Sequence, residues 1–214
     1  MTPQPAEAPA GLRARKKQQT RDTISGQATR LFLERGFDQV TIAEIAAAAG
    51  VSKMTVTNYF PRKEDLALDL GDVFVDQLAR AVRERADEES VTAALRRSYL
   101  AAAAEHDPVV GFSGRPFAEM IVGSKALVAR LREFHDAREA ALARALAEEV
   151  GAAPGAVEPR ITAAQLAGAH RVLFEETMRR TLAGQSDDEI AAALTSDIDE
   201  AFDALEAGLA SRPA

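Results

Sequence analysis

The sequence contains no cysteine and no tryptophan, and only two of its 214 residues are tyrosine. Without cysteine the chain has no disulfide, no thiolate nucleophile and no cysteine-based metal site, which fits a cytoplasmic protein. It also has no run of 18 apolar residues and no apolar segment near the N-terminus of the kind that directs secretion. We therefore expect neither a membrane span nor export.

The common motifs of catalysis and cofactor binding are missing as well. No phosphate-binding loop, dinucleotide fingerprint or nucleophile elbow occurs, so we expect no cofactor and no enzymatic activity. The histidines His106, His135 and His170 are far apart in the sequence and lack paired acidic residues at metal-binding spacing, so no metal site is expected. The acidic tripeptide around His106 precedes Pro108 at a predicted helix end, where polar residues are common.

Strand-like alternation of apolar and polar residues is also absent, and glycine is sparse away from the predicted segment boundaries. Alanine is abundant and 47% of the residues are hydrophobic, which favours an all-α fold with a sizeable core. The apolar spacing predicts about nine helices. They cover approximately residues 18–35, 41–49, 53–59, 63–86, 91–105, 116–123, 125–150, 159–183 and 187–209.

The most informative segment is TIAEIAAAAGVSKMTVTNYFPRK, residues 41–63. Thr41 and Glu44 have the spacing of a capping box, which starts a helix. Gly50 is suited to the left-handed residue that ends this helix, and Ser52 is a good N-cap for the next one. The segment therefore predicts two short helices joined by a tight turn.

The second of these helices has an apolar side and a polar side. Val56 and Phe60 are expected to face inward, with Tyr59 partly so. A polar free face on a rigid, docked helix is what recognition of the DNA major groove requires. The outward residues are Lys53, Met54, Thr55, Thr57 and Asn58. Two helices joined at a glycine also occur in all-α proteins that bind no nucleic acid, so the turn alone leaves both interpretations open.

The charge distribution favours DNA binding at one end of the chain. The net charge is −7, but residues 1–63 carry ten Lys/Arg and five Asp/Glu, a net of +5, and residues 64–214 carry a net of −12. Attraction to phosphate depends on the local field, because salt screens distant charges. A cluster of cations leads into the first helix and could lie along DNA, or be a solvated tail. Its members are Arg13, Arg15, Lys16, Lys17 and Arg21.

Residues 18–68 resemble the DNA-binding domain of the TetR family of bacterial transcriptional repressors. The resemblance rests on ATRLFLERGFDQV (28–40), TIAEIAAAAGVS (41–52) and TVTNYFPRKEDL (55–66). It implies that Thr41 meets a phosphate, that residues 52–57 including Ser52 face bases and nearby phosphates, and that Tyr59 and Lys63 hold the DNA backbone. Arg62 replaces the small capping residue common in the family, so the cap of the next helix is expected to be weaker.

The resemblance also implies a domain order. We expect a disordered basic N-terminal arm over residues 1–17, a helix-turn-helix DNA-binding domain over 18–63, and a helical ligand-binding and dimerisation domain over 64–214. The helix predicted over residues 63–86 would link the two domains. The predicted function is a ligand-responsive regulator, most simply a repressor that binds a palindromic operator as a dimer. The alternative is a helical small-molecule-binding or interaction protein without sequence-specific DNA binding.

The last two predicted helices look like a homodimer surface. The final helix carries an apolar stripe at Ile190, Leu194, Ile198, Phe202, Leu205 and Leu209, and the helix before it carries Leu166, Ala169, Leu173 and Met178. The alternative is that the stripe packs on the core of its own domain. A symmetric dimer would place two recognition helices about 34 Å apart, one turn of DNA.

By resemblance, a small hydrophobic effector enters the C-terminal domain and releases the DNA. A mostly apolar cavity with few polar groups is the usual form of such a site. The candidate lining residues are Phe74, Leu78, Tyr99, Phe112, Phe117, Met120, Ile121, Phe134, His135, His170, Phe174 and Met178, although each alone fits an ordinary core position.

Overall fold

A computed structural model describes residues 9–153 and 155–210. Within these residues the chain forms ten α-helices, one short 3-10 helix and no strand, so the predicted all-α class is confirmed. The α-helices are α1 (Pro9–Arg35), α2 (Ile42–Ala48), α3 (Lys53–Tyr59), α4 (Glu64–Ala67), α5 (Gly71–Arg83), α6 (Val91–Ala104), α7 (Arg115–Gly123), α8 (Lys125–Glu149), α9 (Val157–Leu182) and α10 (Asp187–Ala210), and the 3-10 helix spans Pro108–Val110.

The chain divides into two compact units, with the boundary between Asp69 and Leu70. In the first unit α1 packs against α2 and α4, and α2 packs against α3. Ile24, Phe32, Ile45 and Leu66 are fully buried or nearly so, which fixes the short helices around α1. A helix of seven residues is not stable alone in water, so α2 and α3 depend on this packing.

The N-terminal arm differs from the sequence-based prediction. Residues 9–17 are helical and extend α1 toward the N-terminus, so the predicted disorder of this stretch is wrong. The run LRARKK at 12–17 consists of good helix formers, and no proline interrupts it. The part of the predicted arm at residues 1–8 lies outside the described residues.

The single helix predicted over residues 63–86 is also wrong, because α4 and α5 are separate helices. Leu68 and Leu70 leave helical geometry, with φ and ψ of −106° and 51° and of −83° and 9°. Gly71, a poor helix former, opens α5, where the Phe134 ring lies against its backbone. A Cβ on Gly71 would lie 2.5 Å from Cζ of Phe134. The boundary between the two units therefore falls in a break between helices.

In the second unit α8 packs against α5 and α9, and α10 packs against α6 and α9. The α10 stripe lies inside this core, since Ile190, Leu194, Ile198 and Phe202 have no exposed surface. The interpretation of this stripe as an association surface is therefore wrong. The reason is that α10 closes the core over α6, which covers these four residues, whereas Leu205 is half-buried. The side chain of Leu209 lies outside the described residues.

Polar residues at two helix ends act as N-caps. Ser186 caps α10: its Oγ accepts from the Glu189 backbone N–H at 3.3 Å, and its own N–H donates to the Glu189 carboxylate at 2.8 Å. At the end of α6, Asp107 accepts from the Val109 N–H at 2.8 Å and so caps the 3-10 helix. Among the described helices, none is long and apolar enough to cross a bilayer.

Candidate nucleic-acid interface

The start of α2 is fixed by the predicted capping box. Thr41 Oγ1 accepts from the Glu44 N–H at 3.3 Å, and the Glu44 carboxylate accepts from the Thr41 N–H at 2.8 Å and from its hydroxyl at 2.7 Å. Arg35 forms an ion pair with Glu44 at 2.8 Å. These hydrogen bonds from Thr41, followed by Arg35, lower the pKa of Glu44 to about 2. Thr41 is exposed, but its hydroxyl proton is already engaged by Glu44.

The recognition-helix candidate α3 is capped at its start and docked along one side. Ser52 Oγ accepts from the Thr55 N–H at 3.0 Å and is 2.8 Å from the Thr55 hydroxyl. Val56 has no exposed surface and Phe60 has 1%. The two residues that dock the helix are the ones predicted, and Thr55 is half-buried because it belongs to the cap.

The opposite side of α3 is free. Lys53, Met54, Thr57 and Asn58 are exposed, and Met54 retains 70% of its accessible surface. Within the described chain, the side chains of Lys53, Met54 and Asn58 make no hydrogen bond, ion pair or ring contact. The Thr57 hydroxyl instead donates within the helix, 3.1 Å from the Met54 carbonyl oxygen. This edge offers a cation, a thioether and an amide to a ligand.

The predicted role of Lys63, a contact to the DNA backbone, suggests an ammonium in solvent, but the ammonium packs on aromatic rings. It lies 4.3 Å from the centroid of the Phe37 ring and 5.8 Å from that of Phe32, a cation–π arrangement. Partial burial lowers the pKa of Lys63. Tyr59 is half-buried at the end of α3. A phosphate contact from Lys63 would require its ammonium to leave the aromatic rings.

Arg21 has a structural role that the sequence did not reveal. Its Nη1 donates to the Tyr59 carbonyl at 3.3 Å and its Nη2 to the Asp69 carbonyl at 3.0 Å. The guanidinium also lies 4.5 Å from the centroid of the Phe60 ring. Arg21 therefore ties α1 to the ends of α3 and α4, and its assignment to a free basic cluster is wrong. Arg13, Arg15, Lys16 and Lys17 remain exposed along α1.

The turn before α4 bears on the expectation for Arg62. The N-cap residue of α4 is Lys63, which makes no side-chain capping bond. Instead the Asp65 carboxylate accepts from the Arg62 N–H at 3.1 Å. This agrees with the weaker cap expected where Arg62 replaces a small polar residue.

In the second unit, the predicted effector residues fall into two groups. Phe74, Leu78, Tyr99, Phe112, Ile121, His135, His170, Phe174 and Met178 are buried, whereas Phe117, Met120 and Phe134 are half-buried. The rings of Phe74, His135 and Phe174 lie 5.0–5.6 Å apart, edge to face. His170 lies 4.9 Å from the Tyr99 ring. The structure thus brings five of these candidates, from α5, α6, α8 and α9, into a buried aromatic cluster: Phe74, Tyr99, His135, His170 and Phe174. Phe134 on α8 makes none of these ring contacts.

The same cluster contains a charged residue that sequence reasoning missed. Arg138 on α8 has 1% of its surface exposed, and its guanidinium lies 4.0 Å from the centroid of the Phe74 ring. Burial lowers the pKa of Arg138 to about 10, and burial followed by the Arg138 charge lowers the pKa of His135 to about 4. Arg138 occupies the stripe that continues through Leu142 and Ala145, so a charge at an apolar position was the available signal.

The described residues provide no group of three or more His, Asp or Glu that could hold a metal ion. His106, in the sequence cluster at the end of α6, stacks 5.1 Å from the Phe112 ring and lies 3.4 Å from the Asp188 carboxylate. These contacts link the end of α6 to Phe112 and to the first turn of α10.

Comparison with known proteins follows the division into two units. Residues 24–70 match the family model of bacterial regulatory proteins of the tetR family. Over 58 residues the chain is 41% identical to the HTH-type transcriptional regulator TcmR of Streptomyces glaucescens. The aligned segment covers 27% of this chain and 26% of TcmR. The match thus spans about a quarter of that relative.

Similarity over most of the chain is seen with solved structures. NalD, the secondary repressor of the MexAB-OprM multidrug efflux pump in Pseudomonas aeruginosa, is 22% identical with a TM-score of 0.54, over 86% of this chain and 97% of NalD. A Syntrophomonas wolfei structure assigned to the TetR family is 19% identical with a TM-score of 0.58, over 86% of this chain and 95% of that one. At these identities the likeness shows a shared fold.

Proposed function

We propose that this chain is a DNA-binding transcriptional repressor of the TetR family, released by a small effector, because residues 24–70 match the model of that family. The observation that carries this proposal is the exposed edge of α3. Lys53, Met54 and Asn58 stand on a capped helix that Val56 and Phe60 hold in place. Hydrogen bonding from Lys and Asn to base edges, and contact of Met with a thymine methyl, are the readout such an edge provides.

The neighbouring cations supply the part of the affinity that does not depend on sequence. Arg13, Arg15, Lys16 and Lys17 are exposed on α1, and residues 1–63 carry a net charge of +5. Each phosphate neutralised by a cation releases counterions, so binding should weaken steeply with salt. Thr41, Tyr59 and Lys63 complete the proposed phosphate contacts, with Thr41 and Lys63 first giving up their contacts to Glu44 and Phe37.

The proposed repressor acts as a homodimer through α9 and α10. Since the α10 stripe is buried in its own core, the support comes from the other faces of these helices. A groove of about 780 Å³ runs between them, lined by small residues such as Gly168, Ala169 and Ala201 and by charged residues such as Glu176, Arg180 and Asp197. Val172 on the same groove is 59% exposed. Small residues let helices approach closely, which suits a bundle of two α9–α10 pairs.

The proposed effector site is the buried aromatic cluster of the second unit. Its rings come from four helices, so a molecule bound among them would alter how α5 packs against α8 and α9. Typical coupling energies between ligand sites are about 1–3 kcal/mol, a modest requirement for one helix interface.

The test compares two lysines in matched positions. Lys53 opens α3 and Lys125 opens α8, and both are exposed. Lys53→Ala should weaken binding to the chain's own upstream DNA by about 5- to 150-fold, the value of one base contact of about 1–3 kcal/mol. Lys125→Ala should leave the affinity unchanged. Fluorescence anisotropy at a fixed salt concentration measures both, and the saturation point should give two chains per operator.

Circular dichroism must first show that both variants fold as the wild type does. Equal affinity of all three proteins for the operator would refute the role of α3. Absence of any sequence preference, with effector binding retained, would favour the alternative of a helical small-molecule-binding protein.

A further inference from the structure

Arg138 is the least expected residue in the core of the second unit. Its Nη2 donates to Gln77 Oε1, while Nε and Nη1 have no hydrogen-bond partner within the described chain. Nε carries one N–H and Nη1 two, so three strong donors are unused. Burial of a charge without a partner costs several kcal/mol, and a protein normally supplies a carboxylate to offset that cost.

No such carboxylate acts on Arg138 among the described residues. Burial lowers its pKa, and the opposing influence is the buried phenol of Tyr99. Burial also raises the pKa of Tyr99, so that phenol is neutral at ordinary pH. The surroundings of the guanidinium are therefore neutral, and its positive charge is uncompensated.

His170 repeats this pattern beside it. It is 1% exposed, and neither ring nitrogen has a hydrogen-bond partner in the described part of the chain. Burial, and then the charge of Arg138, lower its pKa well below the ordinary value, so the ring is neutral. A neutral imidazole offers one N–H donor and one acceptor. The cluster thus combines an unpaired cation, an unpaired imidazole and apolar rings.

A cavity between α5 and α6 shares one residue with this cluster. It has a volume of about 300 Å³ and is lined by Ala81, Ala101 and Ala102 and by Gln77, whose side chain also contacts Arg138. Gln77 is therefore shared by the cavity and the guanidinium. The cavity is lined by arginines as well as acidic residues, so its charge does not favour anions. Selection of an anionic ligand would then depend on Arg138.

We infer that the effector of this chain is an organic carboxylate with an apolar or aromatic body, whose carboxylate pairs with Arg138. The inference rests on the proposed function only in assigning the site to an effector. The unused N–H groups of Arg138 donate to the carboxylate, His170 offers a further polar contact, and the body lies among the Phe74, His135 and Phe174 rings. An uncharged molecule of the same shape would leave the guanidinium unpaired.

The test uses 2-naphthoate and decanoate as probes, with 2-naphthamide and decanamide as uncharged counterparts and inorganic phosphate as a plain anion. Thermal unfolding is followed without DNA. At about 100 times its Kd, a carboxylate should raise the Tm by roughly 5–10 °C. The amides should bind at least about tenfold more weakly, the value of a charge-assisted hydrogen bond. Phosphate should give no comparable shift, because it has no apolar body.

Two variants on α8 complete the test. Arg138→Met should match or exceed the Tm of the wild type without ligand, because it removes an unpaired buried charge, and should lose the preference for carboxylates over amides. Arg132→Met removes an exposed arginine from the same helix and should keep that preference. If Arg138→Met does not fold, the comparison of carboxylate and amide on the wild type still decides.

Four results would each overturn the inference. They are equal binding of acids and amides, no response to either carboxylate at millimolar concentration, an equal response to phosphate, and a carboxylate preference retained by Arg138→Met. Operator binding is measured separately. Carboxylate binding by a protein without operator affinity would keep this site and reject the repressor, and operator binding without carboxylate selectivity would do the reverse.

Discussion

Gly111 provides a sharp test of the packing around the proposed effector site. It follows the 3-10 helix with φ 107° and ψ −5°. A Cβ added there would lie 2.8 Å from Cβ of Thr177 and 2.9 Å from the carbonyl oxygen of Phe174, both on α9. Gly111 thus brings its loop directly against α9. Tyr99 donates its hydroxyl to the Val110 carbonyl at 3.4 Å, so the same loop helps hold Tyr99.

The expected cost of Gly111→Ala has two parts. A side chain at positive φ costs about 1–2 kcal/mol. Overpacking against Thr177 and the α9 backbone adds about 1–3 kcal/mol, because the carbonyl oxygen of Phe174 lies within a helix and cannot move freely. The total is about 2–5 kcal/mol, which corresponds to a Tm lower by roughly 5–15 °C for a protein of this size.

Gly151→Ala measures the cost of positive φ without the cost of overpacking. Gly151 also has positive φ, at 61°, but nothing lies within 4 Å of its added Cβ. This control should lose only the backbone cost of about 1–2 kcal/mol. Urea unfolding followed by circular dichroism compares the two variants, with the m-value expected to stay constant. Equal losses in both variants would refute the close approach of the Gly111 loop to α9.

Two further predictions concern stability as a function of pH. The pKa of Glu44 falls from 4.5 to about 2 on folding, so its contribution is complete above about pH 4.5 and is lost as the pH falls toward 2; Glu44→Gln should flatten the decline of Tm in that window. The pKa of His135 falls from 6.5 to about 4 on folding, so its contribution to folding stability is complete above about pH 6.5 and is lost toward pH 4. His135→Leu should flatten the decline of Tm between pH 6.5 and 4. Thermal unfolding from pH 8 to 2.5 measures both, and a variant that follows the wild-type profile contradicts its assignment.

Local sequence patterns were sufficient for the recognition segment. Thr41 with Glu44, Gly50 and Ser52 act through neighbours three or four residues away, so their roles follow from spacing alone. The inward side of α3, at Val56 and Phe60, follows from the same helical period. That is why the boundaries of α2 and α3 and the exposed edge of α3 agree with the sequence-based expectation.

Long-range contacts account for the errors. The roles of Arg21, Lys63 and the α10 stripe depend on which surfaces meet in the fold. Arg21 reaches carbonyls 38 and 48 residues away, and no local pattern indicates such a partner. A period of apolar residues predicts that one side of α10 is buried, but it does not distinguish its own core from a partner chain.

The sequence by itself determined the helical class, the capped helix pair and the exposed polar edge of α3, because these depend on residues close together in the chain. The tertiary structure decided which cations remain free, where α4 ends and α5 begins, and that the last apolar stripe belongs to the core. It alone placed the buried guanidinium of Arg138 among aromatic rings from several helices. The physical reason is that burial and charge pairing depend on distance in space, which sequence separation does not fix.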